Sequence, residues 1–153
     1  MTLTINVREK PVGQPRPRAA RMGKHIRIYN PPTADAWRMA VELAAVEAAR
    51  DQGWEATDEP MELNAIFFMP RPKAHYRSNG ELKPNAPLYC PTKPDLSNII
   101  KGTEDALEQS GVIARDQLIV ALQCVKLYAG EEDVGATLTL SKAVSRTKAD
   151  NHG

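Results

Sequence analysis

Leu3, Ile5 and Val7 alternate with Thr4 and Asn6, the two-residue period of a strand with one face buried. Pro11, Gly13, Pro15 and Pro17 interrupt any regular pairing and predict an extended loop over Pro11 to Arg21, whose arginines stay out of the core. His25 to Tyr29 reads as a short strand stopped by Pro31 and Pro32. Thr33 or Asp35 can cap a helix over Ala36 to Asp51, with Gly53 as its terminator and Trp37, Ala40, Val41, Ala44 and Ala48 as its apolar stripe. Met61, Leu63, Ala65, Phe67 and Met69 alternate again and predict a strand entering the core, ended by Pro70 and Pro72.

Arg71 to Pro91, with four prolines, Asn79-Gly80 and several cations, predicts a long surface loop and a candidate for ordering on a ligand. A second helix is expected from Asp95 to Gln109, stopped by Gly111. Its apolar face carries Leu96, Ile99, Ile100, Thr103 and Leu107, with Asn98, Lys101 and Asp105 together on another. Gln117 to Tyr128 is apolar at both parities, the pattern of a central strand covered on both faces. Glu131, Glu132 and Asp133 read as the turn of an antiparallel hairpin leading into a last strand, Val134 to Leu140. The order predicts an α/β (α+β) fold, a two-layer sandwich in which a small mixed sheet packs with two main helices. We expect a single domain over 1–140 and a polar, frayed tail over 141–153.

Composition changes this picture in three ways. No apolar run approaches the roughly 20 residues needed to cross a bilayer, so the expected location is the cytoplasm and no membrane partner is expected. The two cysteines, Cys90 and Cys124, lack metal-ligand spacing and read as isolated thiols. The net charge of +1 conceals a segregation. From Lys10 to Ala34 come Lys10, Arg16, Arg18, Arg21, Lys24 and Arg27 with no acid; from Arg71 to Lys93 come Arg71, Lys73, Arg77, Lys83 and Lys93 against Glu81 alone. Two basic, proline-rich arms beside an acidic centre suit a polyphosphate whose cleavage needs a cation, although lysines and arginines of solvated loops would look the same.

The acidic centre holds the candidate chemistry. Taken alone, Asp95 is a helix cap, Lys101 with Asp105 a surface ion pair at i, i+4, and Asp116 a turn residue at a strand mouth. Taken together, the carboxylates are hard oxygen ligands of the kind Mg²⁺ accepts, with a lysine among them. Local geometry brings the strand start to the helix end, so it leaves open whether Asp95 and Asp116 meet.

The run Lys93-Pro94-Asp95-Leu96-Ser97-Asn98 with Lys101, then Asp105-Ala106-Leu107 and Gly111-Val112-Ile113 leading to Asp116-Gln117, resembles the signature of RusA-type Holliday-junction resolvases. Arg16-Pro17-Arg18, Tyr29 and Trp37 are similar to that family's opening segment, so the resemblance runs from the first strand to the last. It implies a homodimeric, Mg²⁺-dependent endodeoxyribonuclease, with Mn²⁺ as a substitute, often encoded by phages and prophages, that binds four-way DNA junctions and nicks two strands symmetrically. Carried over by position, Asp95 and Asp116 are metal-binding carboxylates and Lys101 is the catalytic lysine; Asp105 is a further candidate ligand. Arg16, Arg18, Arg21, Lys24, Arg71, Lys73, Arg77 and Lys93 become phosphate contacts, which position DNA without reading its sequence. Tyr29, Tyr76 and Tyr89 are candidates for stacking on bases, and Phe68 is assigned to the core. His25, His75 and His152 lack ligand spacing and are expected to be solvated.

One position departs from the family pattern: Ser97 stands where a second aspartate is usual, which removes an anionic ligand. The alternative expectation is therefore a junction-binding protein with weak or no cleavage. A small-molecule phosphohydrolase is a third reading.

Overall fold

The structure, a computed structural model, describes residues 1–14, 18–22, 25–29 and 34–143, with side chains for 1–14 and 34–143. Strands β1 (Thr2–Val7), β4 (Met61–Pro70), β5 (Ile119–Ala129) and β6 (Gly135–Lys142) form one mixed sheet in the order β1-β6-β4-β5. β6 runs antiparallel to both β1 and β4, and β5 runs parallel to β4. Helices α1 (Asp35–Gln52) and α2 (Leu96–Ser110) pack on one face, giving the two-layer sandwich expected from the sequence. A separate antiparallel ribbon joins β2 (Arg18–Met22) to β3 (His25–Tyr29).

The alternating strands carry the core. Leu3, Ile5 and Val7 of β1, Leu63, Ala65 and Phe67 of β4, and Leu138 and Leu140 of β6 are all buried on the helix side. α1 lays Trp37, Val41 and Ala45 onto them; Ala40, Ala44 and Ala48, assigned to the same stripe, are only partly buried. The Trp37 ring meets Phe67 edge-on at 6.1 Å, and its indole N–H donates to Thr103 Oγ1 of α2 at 3.3 Å. That hydroxyl donates in turn to the Ile99 carbonyl at 2.8 Å, so a fully buried threonine is satisfied and locks the two helices together. Gly53 ends α1 in the left-handed region at φ 65, as its position predicted. Gly135 opens β6 where a Cβ would overlap the Val7 carbonyl oxygen, so only glycine lets β6 lie against β1 there.

Four expectations are corrected. The loop assigned to Pro11 to Arg21 gives way to β2 from Arg18, because the last proline is Pro17 and the residues after it have free N–H groups for pairing. α1 begins after Ala34 with no side-chain cap bond; Asp35 lies inside its first turn and pairs with Arg38, and Thr33 lies outside the described residues. β5 is an edge strand rather than a central one. Its burial is intermittent, with Val120 62% and Leu122 45% exposed, so its apolarity at both parities does not reflect cover on both faces within the chain. Finally, Glu131–Asp133 is a 3-10 turn and not a hairpin tip: the chain passes β4 and inserts β6 between β4 and β1. β6 fits there because its alternation buries Ala136, Leu138 and Leu140 on one face while both of its edges find antiparallel partners.

The tail over 144–153, including His152, lies outside the described residues.

Candidate active site and nucleic-acid interface

α2 is the crossover helix of the parallel β4–β5 pair, and its entry is strapped to the sheet. The Lys126 ammonium of β5 donates to the carbonyls of Thr92 and Pro94, the latter at 2.7 Å. Asp95 follows in extended conformation, and its carbonyl accepts the N–H groups of Asn98 and Ile99 at 3.0 and 3.1 Å. Its side chain makes no cap bond. The capping role that would have accounted for Asp95 is therefore not used, and an exposed carboxylate stands at the positive end of a helix dipole.

Ile99, Ile100, Thr103, Ala106 and Leu107 anchor α2 in the core and turn Lys101, Glu104, Asp105 and Glu108 outward. Gly111 at φ 86 ends the helix, and buried Val112 and Ile113 tie down the connection to a 3-10 turn at Asp116–Leu118. The Asp116 N–H donates to Glu108 Oε2 at 3.2 Å, which fixes the turn against the end of α2. The Lys101 ammonium then stands 3.4 Å from Asp105 Oδ1 and 4.0 Å from Asp116 Oδ2. The lysine side chain is 58% exposed and each aspartate 35%, so the cluster is open to a large ligand.

Electrostatics bind these groups into one unit. The Lys101 pKa is raised, first by the charge of Asp105 and its hydrogen bond, with smaller contributions from Asp116 and Glu104, so its ammonium is held protonated. Burial pushes the Glu104 carboxyl up; Lys101 opposes this, while Asp116 and Asp105 add to it. Cys124 on β5 is likewise pushed up, mainly by burial and then by Glu104.

Asp105 and Asp116, converging on one ammonium, are hard oxygen donors suited to Mg²⁺, which takes one or two protein carboxylates and completes its shell with waters and phosphate. Among the described residues, no three His, Cys, Asp or Glu side chains gather closely enough for an all-protein cage. Asp95 stands apart. Ten residues of helix separate it from Asp105, about 15 Å along the axis at ~1.5 Å per residue, so one ion cannot take both.

The arms differ in what is visible. Gln14 donates its N–H to the Asn98 carbonyl at 3.0 Å, and Gly13 lies against Asn98 and Pro94, so the first basic arm departs from beside the start of α2. Arg16 and Lys24 lie outside the described residues; Arg18 and Arg21 fall on β2, and His25 and Tyr29 on β3, whose side chains are likewise outside them. The second arm is held by contacts of its own. A 3-10 turn at Lys73–His75, a bridge between Tyr76 and Leu82 around Gly80, and pairing of Leu88–Cys90 with β5 hold it. Arg71 is a staple: it donates to the Pro87 carbonyl at 2.7 Å, lies 3.3 Å from His75 Nδ1 and covers the Tyr128 ring at 5.3 Å. His75 is thus packed edge-on against Tyr128 rather than freely solvated. Lys73, Arg77, Lys83 and Lys93 are exposed, as is Tyr89 at 64%, while Phe68 and Tyr76 are half-buried.

Sequence reasoning missed Glu108 and Lys126. The reach of Glu108 to Asp116 and of Lys126 to the strap depends on how the chain folds back after Gly111 to lay β5 beside β4.

With this geometry in hand, comparison with known proteins adds two findings. The family model described as endodeoxyribonuclease RusA matches residues 9–139. Uncharacterized protein YqaN of Bacillus subtilis strain 168 is 25% identical over 134 residues, which cover 86% of this chain and 92% of that protein.

Proposed function

The chain belongs to the RusA endodeoxyribonuclease family, and on that premise we propose that it resolves four-way DNA junctions by divalent-metal-dependent phosphodiester hydrolysis, in recombination and repair of DNA in the cytoplasm. The observation that carries this reading is the Lys101 ammonium between Asp105 and Asp116, groups from a helix and from the turn beyond it, all accessible from outside. The family match spans residues 9–139, and among the described residues no helix is long and apolar enough to cross a membrane.

The roles follow from chemistry. Asp116, with Asp95 or Asp105, would hold Mg²⁺ or Mn²⁺; when bound, such an ion activates water and neutralises charge on the phosphodiester. Lys101 supplies a positive charge to the non-bridging oxygens as negative charge grows on the phosphorus centre, an interaction stronger in the transition state than in the ground state. Binding DNA brings a phosphate to that ammonium, so Lys101 exchanges part of its pairing with Asp105 for the substrate. Lys73, Arg77 and Lys93, with the first arm, contact the backbone and fix the junction's orientation. Two nicks on opposed strands require two sites related by a two-fold axis, hence a homodimer.

The test is cleavage of a synthetic four-way junction with Mg²⁺ or Mn²⁺, beside plain duplex and a nucleotide phosphate ester. Paired symmetric nicks in the junction, lost in Lys101→Ala and Asp116→Asn, are expected. A preference for the nucleotide ester would overturn the assignment in favour of a phosphohydrolase.

A second reading has its own support: with Ser97 exposed on α2 and no three-carboxylate group among the described residues, metal affinity is low and the protein binds junctions with weak or no cleavage. Binding without nicking in either metal, reversed by Ser97→Asp, would establish it.

A further inference from the structure

Lys126 reaches from β5 to the start of α2, and the proposed chemistry gives it no task. Its ammonium donates to the carbonyls of Thr92 and Pro94, and its own carbonyl accepts the Cys90 N–H at 3.1 Å. The segment 90–94 is therefore tied to β5 by both the backbone and the side chain of one residue. β5 is itself a firm base, because its register with β4 runs without a break from 121 to 129. The Pro94 carbonyl belongs to the planar peptide group that leads into Asp95, so a bond to it fixes the root of that residue. The next peptide group is fixed from the other side, where the Asp95 carbonyl accepts the N–H groups of Asn98 and Ile99 at 3.0 and 3.1 Å. Asp95 is clamped at both of its peptide groups, while its side chain is exposed and makes no cap bond. A carboxylate on a fixed root with free oxygens is suited to a ligand, since little freedom is left to lose when it engages one.

Stability does not account for this arrangement. Thr92 and Asp95 are exposed, and water competes for carbonyls in such a stretch, so the two bonds add little to folding. Electrostatics does not account for it either. An ammonium beside a cation-binding carboxylate repels the cation, an unfavourable placement unless its bonds improve the carboxylate by more. A direct contact with DNA is a poor use of this lysine, because two of its three N–H donors are already committed.

We infer that Lys126 is a positioning residue for the reaction: by tying the Thr92 and Pro94 carbonyls to β5, it holds the Asp95 carboxylate where that group takes the metal ion. The inference rests on the proposed function for the ion and for the role of Asp95. β5 then sets two carboxylates, Asp116 through the turn at its entry and Asp95 through Lys126.

Mn²⁺ binding by the full chain, read from the electron paramagnetic resonance of the free ion, tests this independently of cleavage. Lys126→Met keeps the stem and loses the donors; it should weaken Mn²⁺ binding about tenfold, the scale on which groups that orient a metal ligand act. The sign separates the roles. Removing an ammonium that only repels would tighten binding, and removing one that only braces the fold would leave it unchanged. In the Asp95→Asn background, where the ligand is already impaired, adding Lys126→Met should cost no further affinity. Should Lys126→Met not fold, Lys126→Gln, shorter and still polar, carries the same cycle. Unchanged or tighter binding in the single variant, an equal loss in both backgrounds, or no uptake of Mn²⁺ by wild type would overturn the inference. Junction nicking is scored separately. Affinities that follow the cycle in a protein that never nicks refute only the enzyme, whereas nicking with Mn²⁺ binding indifferent to Lys126 refutes only this role.

Discussion

β4 and β5 are parallel neighbours of similar apolarity, yet one buries every second residue and the other is largely open along its first half. β4 has partners on both edges and α1 above it, and Leu63, Ala65 and Phe67 are buried. β5 has one complete edge, and the turn before it delivers Asp116 to Lys101. The difference separates two tasks: β4 supplies stability, whereas β5 and α2 hold charged groups where a large ligand can reach them. Charges at the first location would lose hydration without compensation; at the second they remain solvated until substrate arrives.

Changes that invert this division should show it, the largest first. Phe67→Ala on β4 removes a buried ring packed edge-on against Trp37 and should destabilise by about 3–5 kcal/mol in denaturant unfolding, while Leu122→Ala on β5 should cost the monomer well under half as much. Equal losses would mean that β5 is buried in the working protein. Lys101→Ala should slow junction cleavage by about a hundredfold or more, with junction affinity and unfolding little changed. An active variant would reduce Lys101 to the partner of Asp105. Glu108→Gln, which weakens the bond to the Asp116 N–H, should cost roughly 1 kcal/mol, a several-fold loss of cleavage with unchanged junction binding.

Within the second arm a finer contrast is available. Arg77→Ala should lower junction affinity and reduce the dependence of log affinity on log salt by about 0.9 per lost contact. Arg71→Ala should instead lower thermal stability, because it removes the staple to Pro87 and Tyr128, and leave the salt slope intact.

The smallest effect concerns pH. A lysine whose folded pKa is raised contributes stability that is complete below its unfolded pKa and is lost as pH rises through the folded one. The Lys101–Asp105 pair should therefore be flat across neutral pH and fade only above the ordinary lysine value of 10.5. Asp105→Asn should lower the Lys101 pKa, followed by NMR of its side-chain methylene; an unchanged titration would show that Asp105 does not hold the ammonium.

Most elements were legible in the sequence because their evidence is local. The alternation in β1 and β4, the helical spacing from Trp37 and the glycines at 53 and 111 each specify a conformation within a few residues, and the structure has them at those positions. Lys101 with Asp105 was legible for the same reason, since four residues of helix place them together. Strand neighbours were not. The pattern of β5 suits a covered central strand, and the acidic turn after it suits a hairpin; which edge β6 joins depends on competition between β4 and β5, in which no sequence-adjacent residue takes part.

The sequence by itself therefore determined the two-layer class, the extents of most elements, and a lysine amid carboxylates in a chain whose motif spacing marks its family. Only the tertiary structure decided that Asp116 returns to Lys101, that the Asp95 side chain makes no cap bond and is set apart from Asp105, that Arg71 serves the loop, and that β5 lies at the end of the sheet. The physical reason is range. Periodicity and capping act over a turn or a strand, whereas these placements follow from which long-range pairings bury apolar surface while giving buried polar groups such as the Thr103 hydroxyl a partner.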